Sequence, residues 1–157
     1  MRLTKGTDYG ILGILYLATR PFEQVTLLRE VAQNQEVPES YLAKIFQDLN
    51  KAGLVRSHRG ARGGFSLARP ASDITLRQVI EALQGPICLN QCLDIREGCP
   101  RMEHCAIEPV LRRAQDQLLD TLDAATFDRL AAQDVALQQV AHEQPSPGEG
   151  VEAASGF

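Results

Sequence analysis

The sequence predicts a mainly α-helical chain with a small β-hairpin wing: a winged helix-turn-helix plus a long C-terminal helix. Three observations carry that expectation. Residues 26–53 read as two short helices joined by a tight turn, the second with one apolar stripe opposite a polar, partly basic face. Residues 54–68, LVRSHRGARGGFSLA, read as two short strands around a loop that sets Arg59 and Arg62 between glycines. Past residue 105 the apolar spacing of a long amphipathic helix returns, and such a helix needs a surface to cover its stripe.

Along the chain, residues 9–18, YGILGILYLA, are apolar nearly all round a helix, so this element must be covered on two sides. In a chain of 157 residues a second copy is a ready source of the second cover. Arg20-Pro21 ends the run. Thr26 is placed to cap a short helix through Ala32, with QNQE as the turn after it. The next helix opens at Pro38, suited to a first helical position, and stops at Gly53. Its Leu42, Ile45, Phe46 and Leu49 fall at i, i+3, i+4 and i+7, a buried stripe; Ser40, Tyr41, Lys44, Gln47, Asp48 and Lys51 lie on the other side.

After the hairpin, Thr75 and Gln78 form a capping box for a helix whose core positions are Leu76, Val79, Ile80 and Leu83, ended by Gly85-Pro86. A loop follows, with Gly98-Cys99-Pro100 at its middle. From Cys105 to Leu122 the pattern is helical again, and Ile107, Val110, Leu111, Ala114, Leu118 and Leu122 share one stripe, with Pro109 setting the start nearby. Thr126 or Asp123 is placed to cap a last short helix through Ala136, and EQPSPGEGVEAASGF reads as a disordered tail. The expected divisions are therefore 1–85 for the winged unit, 86–106 for the cysteine-rich loop, 107–138 for the dimerisation helix and short C-terminal helix, and 139–157 for the tail.

The net charge of −4 hides an asymmetry: residues 1–80 hold 11 Lys and Arg against 7 Asp and Glu, and residues 81–157 hold 5 against 13. Between residues 40 and 69, Lys44, Lys51, Arg56, Arg59, Arg62 and Arg69 face a single acid, Asp48. A basic segment on an acidic protein has the form of a phosphate-backbone footprint, and equally of a solvated charged face. Aromatic content of 5% with no Trp argues against a stacking platform for single strands. No Gly-rich phosphate loop, nucleophile elbow or paired histidines point to an enzyme. No apolar run reaches bilayer length and no cleavage signal follows the N-terminus, so the expectation is a cytoplasmic chain with reduced thiols and no membrane contact.

All four cysteines lie between residues 88 and 105, CLNQCLDIREGCPRMEHC, spaced C-x3-C-x6-C-x5-C. This is neither a zinc-ribbon pair of knuckles nor the C-x-x-C of a dithiol redox site. Long, uneven gaps wrap more easily around an iron–sulfur cluster, whose irons spread the ligand positions. Structural zinc, a metal-free thiol redox switch and plain buried thiols remain open alternatives.

MRLTKGTDYGILGILYLA, the helix pair ending SYLAKIFQDLNKAGLVRS, the wing RGARGGFSLA and the cysteine segment together resemble the Rrf-two family, bacterial winged-helix transcription regulators that include IscR-type and NsrR-type proteins. The resemblance covers residues 1 to 135. It implies a homodimer, with the C-terminal helices crossing against the partner's first helix, that binds a double-stranded DNA operator, most simply as a repressor. It also implies an iron–sulfur cluster held by three cysteines of each subunit, here Cys92, Cys99 and Cys105, with Cys88 as an extra thiol. IscR-type members use a histidine three residues past the last cysteine, a position that is Glu108 here. NsrR-type members use an aspartate near the start of helix one of the opposite subunit, which Asp8 matches. Asp8 placed there also suits a helix N-terminus, and Cys88 and Glu108 stay rival fourth ligands. The resemblance favours a 4Fe–4S cluster, with 2Fe–2S as the runner-up. For DNA contact the residues themselves offer Ser40, Tyr41 and Lys44 at the head of the second helix of the pair for the major groove, Arg59 and Arg62 of the wing for the minor groove, and Lys51 and Arg56 for phosphates. The cluster would sense nitric oxide, redox state or iron status; a zinc-stabilised or metal-free regulator controlled by thiol oxidation or a protein partner is the alternative.

Overall fold

In the computed structural model, which describes residues 2–93 and 104–143, the first helix is α1, Lys5–Ala18. It begins four residues ahead of the apolar run because the Thr4 side chain accepts from the Thr7 amide at 3.1 Å and so caps an earlier turn. Ile14 and Leu17 are buried, and so are Gly10 and Gly13, where α1 is narrowest. A methyl group at Gly13 would lie 2.5 Å from the Phe46 ring, and one at Gly10 would lie 2.2 Å from Leu83. Two other helices thus come down onto the α1 backbone. At its far end Tyr16 donates to Glu30 at 2.8 Å, and the Arg20 guanidinium sits 4.7 Å over the Tyr16 ring. Burial pushes the Tyr16 phenol above its ordinary range, with Arg20 pulling it back.

Thr26 does not cap the second helix. It is buried and forms a bridge to the wing, its amide donating to Phe65 O at 2.9 Å and its carbonyl accepting from the Phe65 amide at 2.8 Å. A β-branched residue with a buried backbone satisfies both groups better in a ladder than at a cap. Helix α2, Leu28–Asn34, therefore starts two residues later without a side-chain cap and runs past Ala32. Pro38 lies just outside α3, Glu39–Lys51, as its N-cap. The stripe Leu42, Ile45, Phe46 and Leu49 is buried as its spacing requires, and Gly53 takes the left-handed conformation after the helix, with φ +70.

Strands β1, Val55–His58, and β2, Gly64–Leu67, pair antiparallel, with Val55 opposite Leu67 and His58 opposite Gly64. A short 3₁₀ turn, Ala71–Asp73, leads to α4, Leu76–Gln84, which carries the full Thr75–Gln78 capping box. After a second turn, Gln91–Leu93, come α5, Glu108–Ala124, and α6, Phe127–Glu143. Thr75 and Thr126 bridge, and fully buried Phe127 anchors the start of α6 in the main core. The Thr126 side chain bonds Asp128 and holds its carboxyl below the usual range, whereas Asp123 is taken up by Arg77 at 2.8 Å. Helix α6 is longer than expected and crosses the boundary drawn at residue 138, because no Gly or Pro interrupts residues 127–143. Residues 144–157 of the expected tail lie outside the described residues.

Helix α5 buries none of its residues. Along its predicted stripe Val110 is 66% exposed, as is Ile107 just before it at 65%, while Leu111, Leu118 and Leu122 are half-buried. Among the described residues no helix is long and apolar enough to cross a membrane.

The contact at Gly13 makes a specific prediction. Gly13→Ala raises helix propensity, yet overpacking against the rigid Phe46 ring lowers stability by about 1–3 kcal/mol. Urea denaturation checks it; an unchanged or higher midpoint contradicts the close contact.

Candidate nucleic-acid interface and cysteine segment

The head of α3 is presented by the turn Gln35–Val37, in which Glu36 adopts a φ of 53, and by the buried stripe on the opposite side. Ser40, Tyr41 and Lys44 are all exposed there. The Tyr41 ring packs edge-on against Tyr9 of α1, with centroids 5.7 Å apart, so the ring is braced while 45% of the residue stays open to water. Across from it the wing projects Arg59 and Arg62, both exposed. A hydrogen bond of 2.9 Å between His58 Nε2 and Ser66 Oγ ties the two strands, and the backbone at Gly64 runs against Thr26, where a methyl group would lie 2.2 Å from its carbonyl oxygen.

A groove runs between the wing and the heads of α2 and α3, lined by Arg29, Glu39, Ser57 and His58 among others. Sequence reasoning missed Arg29, because a single cation in a seven-residue helix leaves no periodic signal. Arg56 is exposed on β1. Lys51 is exposed too but is paired with Asp48 at 2.9 Å, which offsets part of its charge. This face offers hydroxyls and an amine on a helix head beside two guanidinium groups on a braced hairpin. Such groups neutralise phosphate oxygens and reach base edges in a groove.

The cysteine segment leaves α4 through Gly85, whose φ of +83 turns the chain sharply. Ile87 is buried and donates its amide to Glu81 at 3.4 Å. The Leu89 amide donates to Gln115 Oε1 on α5 at 3.0 Å, and buried Leu93 closes the 3₁₀ turn that contains Cys92. Cys105 lies three residues ahead of the start of α5. Cys88, Cys92 and Cys105 are all half-buried, while Cys99 lies outside the described residues. Asp8 is exposed in the first turn of α1. Glu108, in the first turn of α5, accepts from Arg112 Nε at 2.6 Å and is thereby engaged.

Among the described residues no three His, Cys, Asp or Glu side chains converge in a metal-holding group. One chain therefore does not gather Asp8 with Cys92 and Cys105. The donor chemistry itself fits an iron–sulfur cluster: half-buried thiols outside the core, at both ends of one segment, are soft ligands within reach of an inorganic core.

The family model Rrf2, described as an iron-dependent transcriptional regulator, matches residues 3–133. Protein aau3 of Rhizobium meliloti (strain 1021) is 37% identical over 131 residues, 83% of this chain and 84% of that protein. Among solved structures, CymR, the global cysteine regulator of B. subtilis, superposes with a TM-score of 0.70 at 30% identity, covering 85% of this chain and 98% of that one. T. potens IscR superposes with a TM-score of 0.64 at 26% identity, covering 94% of each.

The basic wing makes a measurable contribution if it meets phosphates. The double variant Arg59→Ala/Arg62→Ala should weaken binding to mixed-sequence duplex DNA and reduce the slope of log affinity against log salt by roughly 1–2. Fluorescence anisotropy across a salt series reads this; parallel lines for variant and parent would remove the wing from the interface.

Proposed function

This chain belongs to the Rrf2 family of transcriptional regulators, and on that premise we propose that it is a homodimeric, cytoplasmic repressor whose operator affinity is set by an iron–sulfur cluster on its cysteine segment. The observation that carries the DNA-binding reading is the exposed trio Ser40, Tyr41 and Lys44 beside the arginine-bearing wing. Ser40, Tyr41 and Lys44 enter the major groove, Arg59 and Arg62 the minor groove, and Lys51, Arg56 and Arg29 lie along phosphates. A dimer sets two such heads about one DNA turn apart. Helix α5, with its uncovered Val110 and half-buried leucines, is the surface that pairs the two copies, together with Ile107 at its entry.

Cys92, Cys99 and Cys105 would hold the cluster, with the partner subunit's Asp8 completing it and Cys88 or Glu108 as the rivals for that fourth place. The ion pair of Glu108 with Arg112 favours Asp8 over Glu108. When bound, a cluster of the 4Fe–4S type, or failing that 2Fe–2S, supplies iron that answers nitric oxide, oxygen or electron transfer. The chain's own part is to deliver thiolates from a segment stapled to α4 and α5, and to carry a carboxylate on the helix that also braces Tyr41. A hard carboxylate exchanges more readily than a thiolate, so Asp8 would be the ligand that gives way most easily to reactants.

A second reading is control by thiol oxidation without a cluster. It is favoured by the fourth thiol, Cys88, which lies half-buried in the same stapled segment as Cys92, and by the similarity to a cysteine regulator.

Anaerobic purification separates the two. The cluster reading expects a coloured protein containing iron and acid-labile sulfide, with colour lost in Cys105→Ala, lost faster on exposure to air in Asp8→Ala, and kept in Cys88→Ala. A colourless preparation that holds zinc, or no metal, and whose DNA binding changes on oxidation favours the thiol reading instead.

A further inference from the structure

Helix α1 starts at a junction between residues 77 and 80 positions apart in the chain. Gln84, the last residue of α4, places its Oε1 where two donors of the α1 entrance meet it: the Thr7 hydroxyl at 2.8 Å and the Thr4 amide at 3.3 Å. Thr7 is completely buried. Its hydroxyl also lies 2.9 Å from Thr4 Oγ1, so the whole cap of α1 is organised around one side-chain amide from another helix. Immediately after Gln84 the chain turns at Gly85 into the stem of the cysteine segment.

The same turn of α1 also touches the DNA-facing helix. Tyr9 meets Tyr41 edge-on, and a methyl group built at Gly6 would come 3.4 Å from the Tyr41 hydroxyl. Next along α1, Gly10 is wedged between Leu83 of α4 and Ile45 of α3, at 2.2 and 3.2 Å from where its methyl group would be. Close-packed contacts of this kind do not absorb a displacement; they pass it on.

We propose that Gln84 is a positioning residue that couples the stem of the cysteine segment to the DNA-reading head of α3, through the capped first turn of α1 and the Tyr9–Tyr41 contact. The inference rests on the reading that the cysteine segment controls DNA binding, and it holds whether a cluster or thiol oxidation is the trigger. A shift of residues 85–88 pulls on Gln84, the shared acceptor moves Thr4 and Thr7 with it, and Tyr9 carries the motion to Tyr41.

The molecule supplies its own reporter, since it has three tyrosines and no tryptophan. In a Tyr16→Phe background, the tyrosine band in near-ultraviolet circular dichroism comes from Tyr9 and Tyr41 alone. The full-length, reduced, metal-free protein is treated with iodoacetamide, alkylation is verified by mass, and affinity is measured for a duplex selected from a random-sequence pool. In the parent, alkylation should change the tyrosine band and shift DNA affinity by roughly five-fold or more. In Gln84→Met the thiols should alkylate equally while band and affinity hold still, and Thr7→Val should behave the same way. Gln84→Glu, which keeps an acceptor at the same place, should restore the response. A Gln84→Met protein that responds like its parent overturns the coupling alone. A parent whose affinity ignores alkylation overturns both the coupling and the control of DNA binding by the cysteine segment.

Discussion

Two glycines let α3 and α4 come down onto the backbone of α1, and the rest of the molecule is arranged around those contacts. At Gly13 the Phe46 ring occupies the space a side chain would take, and at Gly10 Leu83 does so. Phe46 is fully buried and stacks edge-on with Phe65 of the wing, at 4.9 Å between centroids. The position of the hairpin is thus fixed from beneath by the same residue that seats α3 on α1. Thr26 fixes it from the side, through the bridge to Phe65. An apolar helix with small residues where its neighbours cross can be approached from several directions, which is how a short chain gives one helix so many partners.

The opposite condition holds at α5. Its hydrogen-bonded ties to the body include Arg77 to Asp123 at 2.8 Å, Thr75 to Asp123 at 3.4 Å and Leu89 to Gln115 at 3.0 Å, all polar and peripheral. The hydrogen bond that Arg77 donates to Asp123 and the nearby Glu81 keep the Arg77 guanidinium charge strongly favoured, although burial works against it. These bonds orient the helix without covering its apolar edge. Leaving Val110 and Ile107 in water gains nothing from burial, whereas covering each aliphatic side chain contributes roughly 1.5–3 kcal/mol. In the proposed homodimer, a second copy presenting the same edge provides that cover.

Much of the fold was legible in the residues, because local rules and tertiary packing agree over most of it. The α3 stripe, the Thr75–Gln78 box and the hairpin each follow from spacing alone. The misreadings came where tertiary contacts override a local signal. Thr26 has the chemistry of a cap but is drawn into the wing ladder, and Pro38 stands one place outside its helix. The length of α6 was underestimated: Val135, Leu137 and Val140 in its second half stay exposed, so no buried stripe marks it, although nothing in that half breaks a helix. Of the candidate site, the exposure of Ser40, Tyr41, Lys44, Arg59 and Arg62 could be read from charge and periodicity. The Gln84–Thr7 bond joins residues 77 positions apart, and the Tyr9–Tyr41 pair joins two different helices, so neither could be. The cysteines were visible as a set, yet the described donors do not converge within one chain, and Cys99 lies outside the described residues.

On the proposed function, an inorganic core held between thiols would set how firmly two α3 heads grip DNA. The most direct test is operator affinity at one fixed salt concentration, measured under oxygen-free conditions before and after the core is stripped from the same preparation. A change of roughly ten-fold or more in either direction is expected, equivalent to about 1.4 kcal/mol of coupling. Superimposable binding curves for the loaded and stripped protein would contradict it.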